Sequence, residues 1–169
     1  IYVIGGYSGS YESSPQATIY YAPITYSADV YKSANIGAWS TTTVMPAARM
    51  LHYSAVVNGY LYVWGGHDGA SVLDTVIYAK INTDGTLGAW TTSSYAMPGP
   101  SYHGGGLAIN GRLYTFGGLN SGGSTISDIY YMDVGRIRAN ANLDVFGHSS
   151  DSLVSNYTKE STGVSADSV

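Results

Sequence analysis

The 169-residue chain has no cysteine and only three Lys and two Glu. The absence of thiols excludes disulfides, thiolate nucleophiles and Cys-ligated metals. Charged residues make up 11% of the chain and its formal net charge is −4. With no basic patch, we expect no nucleic-acid partner. No run of about 18 apolar residues occurs, so we also expect no membrane span.

Glycine and tyrosine are abundant, with 22 and 17 copies. Strand formers therefore outnumber good helix formers, which indicates an all-β protein. A chain rich in Tyr, Ser, Thr and Gly but without Cys is typical of secreted or surface-exposed bacterial proteins. We therefore expect an extracellular or cell-surface location, with the cytoplasm as the alternative. The chain opens inside an apolar run, Ile1 to Ile4, and we expect it to be a fragment of a longer protein.

Three segments of the chain repeat one pattern: IYVIGG (1–6), LYVWGG (61–66) and LYTFGG (113–118). The second and third follow Asn58-Gly59 and Asn110-Gly111, and Asn-Gly between apolar runs is the strongest local sign of a type I′ β-hairpin. Further landmarks recur downstream: a Tyr-rich strand, then Gly-Ala-Trp at 37–39 and 88–90, then Met-Pro at 45–46 and 97–98.

The spacing of these landmarks is regular. The Met-Pro pairs are 52 residues apart, as are the second and third Gly-Gly pairs. The first interval between Gly-Gly pairs is 60 residues, and its excess lies between Gly6 and Trp39. A period of about 50 residues made of short strands is typical of a β-propeller. A β-sandwich is the structural rival, but it does not predict a fixed repeat.

The second copy predicts four strands. Every residue of Tyr60–Trp64 is apolar or aromatic, which predicts a strand packed on both faces. The four predicted ranges are His52–Val57, Tyr60–Trp64, Thr75–Lys80 and Ala89–Ser93.

The hairpin, the apolar strand ending in Gly-Gly, the Tyr-bearing strand and the outermost Trp together resemble the kelch repeat. The resemblance covers about residues 1–134 and implies a β-propeller whose blades each have four antiparallel strands. The matching positions are Gly5, Gly6, Tyr20 or Tyr21 and Trp39 in the first copy, Gly65, Gly66, Tyr78 and Trp90 in the second, and Gly117, Gly118 and Tyr130 in the third.

We therefore predict an all-β, kelch-type β-propeller fragment of about two and a half four-stranded antiparallel blades. Residues 1–46 are a partial blade, 47–97 a full blade and 98–134 a partial or degenerate blade. The third copy lacks the Trp, so its last strand is predicted to be replaced or missing. The polar segment 135–169 is predicted to be a linker or the start of a further domain. The remaining blades of the propeller are expected partners.

The sequence has few patterns that indicate a nucleotide or metal site. Gly65-Gly66 is followed by neither a GKS nor a GKT pattern, and glycine at a strand end serves positive φ or close packing. His52, His67, His103 and His148 do not form the close pairs of a zinc or copper site. Asn82–Gly85 resembles the start of a calcium loop but lacks the later Glu, and a β-turn explains it. We expect no metal and no cofactor.

The loops that join the strands are the expected contact surface, because rigid sheets hold such loops in place. Aromatic and Arg side chains there are good binding anchors, and Tyr also stacks on sugar faces. The candidate binding residues are Tyr7, Arg49, His52, His67, Asp68, Tyr102, His103 and Asn120.

These residues predict a non-catalytic module that recognises a protein or a glycan. The resemblance also implies two enzyme alternatives, a galactose oxidase-like propeller and a sialic acid mutarotase-like propeller, with catalytic residues mostly outside this chain. The copper-bound Tyr–Cys cofactor of the first needs a Cys that this chain lacks. A structural spacer in a fibre is the third alternative.

Overall fold

The computed structural model describes residues 1–10, 13–26, 34–134 and, for the backbone alone, 157–160. All regular secondary structure in these residues is β, and they contain no helix that is long and apolar enough to cross a membrane. The strands are, in chain order, β1 (Tyr2–Ile4), β2 (Ile19–Tyr21), β3 (Ile24–Tyr26), β4 (Ala34–Ile36), β5 (Ser40–Thr41), β6 (Tyr53–Val57), β7 (Tyr60–Trp64), β8 (Val76–Ile81), β9 (Leu87–Thr92), β10 (Ser101–Tyr102), β11 (Gly105–Ile109), β12 (Arg112–Phe116), β13 (Leu119–Asn120), β14 (Ile129–Asp133) and β15 (Tyr157–Glu160).

Three antiparallel sheets follow one another along the chain, and we call them the first, second and third blade. The second blade has the order β6-β7-β8-β9, and the third has the same pattern in β11-β12-β14-β15. The first blade, β1-β2-β5, matches the last three strands of that pattern. The all-β prediction is confirmed, and the consecutive four-stranded sheets agree with a kelch-type propeller fragment.

The two predicted hairpin turns have the expected backbone. Asn58 and Gly59 have φ of 52° and 77°, and Asn110 and Gly111 have φ of 51° and 72°. Positive φ at both central residues is the requirement of a type I′ turn, so this prediction is confirmed.

The extra length of the first repeat has a structural explanation. The short hairpin β3-β4 lies between β2 and β5 of the first blade. It falls within the interval between Gly6 and Trp39, as the spacing predicts. Trp39 itself lies just before β5, whereas Trp90 lies inside β9 as predicted.

The strand β7 is buried on both faces. Leu61, Tyr62, Val63 and Trp64 are each at most 1% exposed, so the prediction of a strand with no wet face is confirmed. Full burial of one such side chain contributes roughly 1.5–3 kcal/mol. One face packs towards the first blade in a cluster with Ile19, Met45, Ile77 and Leu87, and the other packs towards the third blade in a cluster with Tyr53, Met97, Leu113 and Met132.

A pair of facing tyrosines recurs in all three blades. The pairs are Tyr2 with Tyr21, Tyr62 with Tyr78, and Tyr114 with Tyr131, with ring centroids 6.4, 5.5 and 5.9 Å apart. The repeat position in the third copy is therefore Tyr131, and the prediction of Tyr130 was wrong. The physical reason is the loop after Gly118, which is one residue longer than the loop after Gly66.

The third blade has a fourth strand that the sequence did not predict. β15 pairs with β14 from Met132 opposite Tyr157 to Ile129 opposite Glu160. β15 lies beyond the predicted boundary at residue 134, in the segment 135–169 that the sequence predicts to be a linker or the start of a further domain. A four-residue strand without the Trp landmark carries too little pattern to be found. The rest of 135–169 lies outside the described residues.

The Gly-Gly pairs join one blade to the next. The N–H groups of Gly6 and Gly66 donate to the carbonyl oxygens of Arg49 and Ser101, both at 2.9 Å. A methyl group added at Gly5 or Gly65 would lie 2.5 or 2.6 Å from those same oxygens. The architectural interpretation of the glycines is confirmed, because a side chain there would push the next blade away.

We predict that Gly65→Ala destabilises the chain far more than Gly59→Ala. Both glycines have positive φ, but a methyl group at Gly59 would meet nothing within 4 Å. Backbone strain alone costs about 1 kcal/mol at Gly59, whereas the clash at Gly65 raises the cost to about 3 kcal/mol or more. Urea unfolding of both variants measures the difference, and equal losses would contradict the proposed junction.

Candidate functional site

The candidate residues gather at one end of the sheets, which we call the rim. After each Gly-Gly pair the chain turns back and makes short β-bridges with its neighbours. Tyr7 bridges to Pro15, His67 bridges to both Met50 and Val72, and β10 pairs with β13. We define the rim by residues 7–10, 13–16, 67–72, 101–103 and 119–125.

Three rings from the second and third blades lie side by side on the rim. The ring centroids of His67 and Tyr102 are 6.0 Å apart, and those of Tyr102 and His103 are 6.5 Å apart with a small tilt of 23°. His103 is exposed, and the other two side chains are half-buried. We call these three residues the ring cluster. It offers aromatic surface held by two neighbouring backbones.

His67 is fixed in orientation by its own loop. Its Nδ1 accepts a hydrogen bond from the Gly69 N–H at 2.9 Å. The proton of the neutral imidazole is therefore on Nε2. This tautomer leaves Nε2–H as the donor that the ring presents.

Asp68 and Asn120 shape the loops beside the ring cluster. Asp68 Oδ1 accepts from the N–H groups of Ser71 and Ala70, and these bonds lower the pKa of Asp68. Asn120 Oδ1 accepts from the N–H groups of Gly122 and Ser124. Both oxygens serve turns of the Asx type.

Tyr7 lies further along the rim on the first blade and is 42% exposed. The loop of the second blade reaches towards it, because a methyl group at Gly69 would lie 3.2 Å from Pro15, the bridge partner of Tyr7. The rim is thus continuous from the first blade to the third.

Arg49 does not lie on the surface, although the sequence marked it as a candidate contact. It is only 4% exposed. Its guanidinium donates to the carbonyl oxygens of Gly65 and Thr75 at 3.0 and 3.1 Å, and to Thr75 Oγ1 at 2.7 Å. Burial lowers its pKa, while the charges of Asp68 and Asp74 act in the opposite direction. Arg49 therefore holds its blade together from inside.

His52 is also turned inward. Burial lowers its pKa from 6.5 to about 4, and the charge of Arg49 acts in the same direction. It is not the repeat equivalent of His103. The equivalent of His103 is Leu51, because both have positive φ, 63° and 53°, and both come directly before the residue that precedes a blade's first strand.

The structure also contains a cleft that the sequence did not reveal. It has a volume of about 360 Å³ and lies between the junction Pro98–Pro100 and the third blade's Asn120, Asp128 and Tyr130. The Tyr130 hydroxyl donates to Asp128 Oδ2 at 3.0 Å. The only signal in the sequence is the residue that follows this junction, where Ser101 replaces the Arg of the preceding copy.

The metal alternatives gain no support. In the described part of the chain, no three His, Asp or Glu side chains come together in a way that would hold a metal ion. Asp84 Oδ1 accepts from both the N–H and the hydroxyl of Thr86, so the Asn82–Gly85 segment is a turn closed by its own side chains.

Known proteins share part of this sequence. An F-box/kelch-repeat protein of Arabidopsis thaliana is 33% identical over 115 residues, which are 64% of this chain and 29% of that protein. A Rho GTPase-activating protein of Dictyostelium discoideum is 28% identical over 85 residues, which are 50% of this chain and 5% of that protein. No protein-family model matches the chain.

The similarity to a kelch-repeat protein supports the kelch repeats predicted from the sequence. The chain spans less than a third of the length of either relative. Both relatives are eukaryotic, so they lend no support to a bacterial origin.

We predict that His52 makes the chain acid-sensitive. Its pKa is about 4 in the folded chain against an ordinary 6.5, so the unfolded chain takes up the proton first as the pH falls. Stability is therefore lost below about pH 6.5, by about 2 kcal/mol between pH 7.5 and pH 4.5. Urea unfolding at both pH values measures it. His52→Gln, which cannot titrate, should lack this loss, and an unchanged pH dependence in that variant would refute the assignment.

Proposed function

We propose that the chain is a non-catalytic protein-binding module that contacts its partner through the rim, with the ring cluster as anchor. The observation that carries the proposal is the grouping of His67, Tyr102 and His103 from two blades. Aromatic side chains are enriched among the residues that dominate protein interfaces.

The rim is preorganised for contact. Tyr102 is held by the pairing of β10 with β13, and the N–H of His103 donates to the Leu51 carbonyl at 2.9 Å. His67 is held by its bridges to Met50 and Val72. A surface ordered before binding loses less entropy when a partner arrives.

The rim's polar groups favour binding over catalysis. The Asp68 carboxylate, the Asn120 amide oxygen and His67 Nδ1 already accept backbone hydrogen bonds in their own turns. A general base must instead be within reach of a substrate proton. These occupied acceptors disfavour a galactose oxidase-like or a mutarotase-like active site on the rim of this chain.

The relatives support the same class of function in general terms. One is described as an F-box/kelch-repeat protein, and kelch-type repeats support a protein-interaction module. A bacterial source, an extracellular or cell-surface location and a glycan ligand stay predictions from composition and from the exposed rings. Detection of the tagged protein on intact, unpermeabilised cells tests the location, and signal only after permeabilisation would contradict it.

We further propose that additional blades cover the outer faces of the first and third blades. Val3 and Phe116 stand at the positions of Val63 and Trp64, two residues and one residue before the Gly-Gly pair. They are 52% and 37% exposed, whereas Val63 and Trp64 are fully buried. The same repeat positions are thus covered only where a neighbouring blade is present.

Hydroxyl-radical footprinting tests this cover. In a longer form of the protein, Trp39 and Phe116, now 47% and 37% exposed, should become protected, while Tyr26 of the β3-β4 hairpin should stay reactive. Unchanged labelling of Trp39 and Phe116 would count against further blades.

The binding proposal is tested with the fluorescently labelled chain on a protein array and a glycan array. The double variant Tyr102→Ala, His103→Asn should bind its protein targets at least about tenfold more weakly, because anchor residues contribute about 2 kcal/mol or more. Asn tolerates positive φ at position 103. The matched control is Tyr26→Ala, since Tyr26 is 69% exposed and lies off the rim.

Three outcomes decide the proposal. Protein binding that the double variant loses and the control keeps supports it. Equal protein binding by the double variant and the Tyr26→Ala control would contradict the proposal that the partner contacts the rim. Binding to glycans alone, with the same dependence on the rings, would replace the protein partner by a glycan.

A further inference from the structure

Each blade has two faces that pack on different neighbours. The face that carries Trp64 in the second blade packs towards the following blade in one apolar cluster, and we call it the front face. The face that carries Val63 packs towards the preceding blade in another cluster, and we call it the back face. Among the described residues, the first blade therefore has an open back face and the third blade an open front face.

The residues that meet across the two junctions are matched in their chemistry. Between the first and second blades, Ile4 of the front face packs against the cluster that contains Val63 of the back face. Between the second and third blades, the same repeat positions are Trp64 and Thr115, and Trp64 Nε1–H donates to Thr115 Oγ1 at 2.7 Å. An apolar front residue thus meets an apolar back residue, whereas a front residue with an N–H meets a hydroxyl.

The two open faces carry the apolar form of this pair. Phe116 is the front residue of the third blade, Val3 is the back residue of the first, and both are exposed. Phe116 has no ring N–H that needs an acceptor, and Val3 has no hydroxyl that needs a partner. The two side chains therefore match each other as Ile4 and Val63 do.

The exposure extends beyond this pair. Ile1 and Tyr20 lie on the open back face and are exposed, whereas Leu61 and Ile77, at the same positions of the second blade, are buried. Contiguous exposed apolar surface marks an interaction site. Each copy of the chain thus presents both halves of a contact that the molecule already makes twice.

We propose that the open front face of one copy of this chain binds the open back face of a second copy, and that two copies close into one propeller. A head-to-tail contact of this kind forms twice when the ring closes. Three sheets from each of two copies make six, within the range of about four to eight blades of known propellers. The inference rests on the proposed cover of the outer faces and names a second copy as its source.

The contact between copies is smaller than the contact between the second and third blades. Among the described residues, the first blade has no counterpart of β6. The same gap is visible within the molecule, because Val56 of β6 is exposed although its cross-strand partner Leu61 is buried. We therefore expect a reversible pair whose population rises with concentration.

Sedimentation velocity of the 169-residue chain over a range of concentrations measures the pairing. A mass of twice 17.8 kDa is expected at high concentration. Phe116→Asp and Val3→Lys each place a charge in the apolar contact, so each should raise the dissociation constant at least about tenfold. The matched control is Tyr95→Asp, because Tyr95 is an aromatic residue with the same 37% exposure as Phe116 but follows β9 of the second blade. This control should pair as the unchanged chain does.

A mixture of the two charged variants tests the head-to-tail geometry. In the mixed pair, one contact is unaltered and the other joins two opposite charges. The mixture should therefore pair more tightly than either variant alone, which also shows that both variants are folded. A contact between two identical faces gives no such rescue, so its absence would count against the proposed geometry.

A monomer at all concentrations, undiminished pairing of Val3→Lys, or masses that grow beyond two copies would overturn the inference. If the chain is monomeric but Phe116 is protected in a longer form of the protein, the proposed cover stands and the second copy is wrong. The double variant Tyr102→Ala, His103→Asn should pair normally, because neither ring belongs to an open face. A failure of pairing thus leaves the rim proposal intact.

Discussion

The arrangement of the blades depends on a backbone contact between a glycine and a carbonyl oxygen. The oxygens of Arg49 and Ser101 accept hydrogen bonds from Gly6 and Gly66, at an approach that is open only because the glycine before each donor has no side chain. This contact fixes where each blade begins relative to the last. The two-sided burial of β7 and the alignment of the rim both follow from it.

The same contact leaves the side chain at the junction without a role in placing the blades. Because the junction is held by main-chain atoms, the side chain at that position is free to change without moving the blades. In the second blade it is Arg49, which stabilises its own blade from within. In the third it is Ser101, whose hydroxyl shares a hydrogen bond with the Tyr53 hydroxyl of the second blade. A buried cation and a neutral hydroxyl are thus compatible with one junction.

Much of the fold could be predicted from the sequence because glycine and Asn-Gly have local backbone requirements. The turns at Asn58 and Asn110, the Gly-Gly pairs and the all-apolar strand β7 are of this kind. The inward position of Arg49 could not be predicted, because it depends on contacts with Thr75 and Gly65 that only folding brings near. His52 likewise lies beside Gly66 only in the folded chain. The short strand β15 was missed because four residues without the Trp landmark carry too little pattern, and the Tyr131 register was missed because the loop after Gly118 is one residue longer than the loop after Gly66. The ring cluster was predicted residue by residue, but its assembly was not.

The two junctions between blades differ in the side chains that they carry. At the first, Arg49 is buried and bonded to Gly65 and Thr75, and Met50 is fully buried. At the second, the equivalent residues are Ser101, Tyr102 and His103. These three differences at successive positions replace an internal cation by a neutral hydroxyl and place a stacked pair of rings on the rim. Burying a charge costs desolvation free energy, so a serine at this position is compatible with a stable blade. We place the proposed contact at the second junction because Tyr102 and His103 reach the surface there, whereas Arg49 and Met50 are buried at the first.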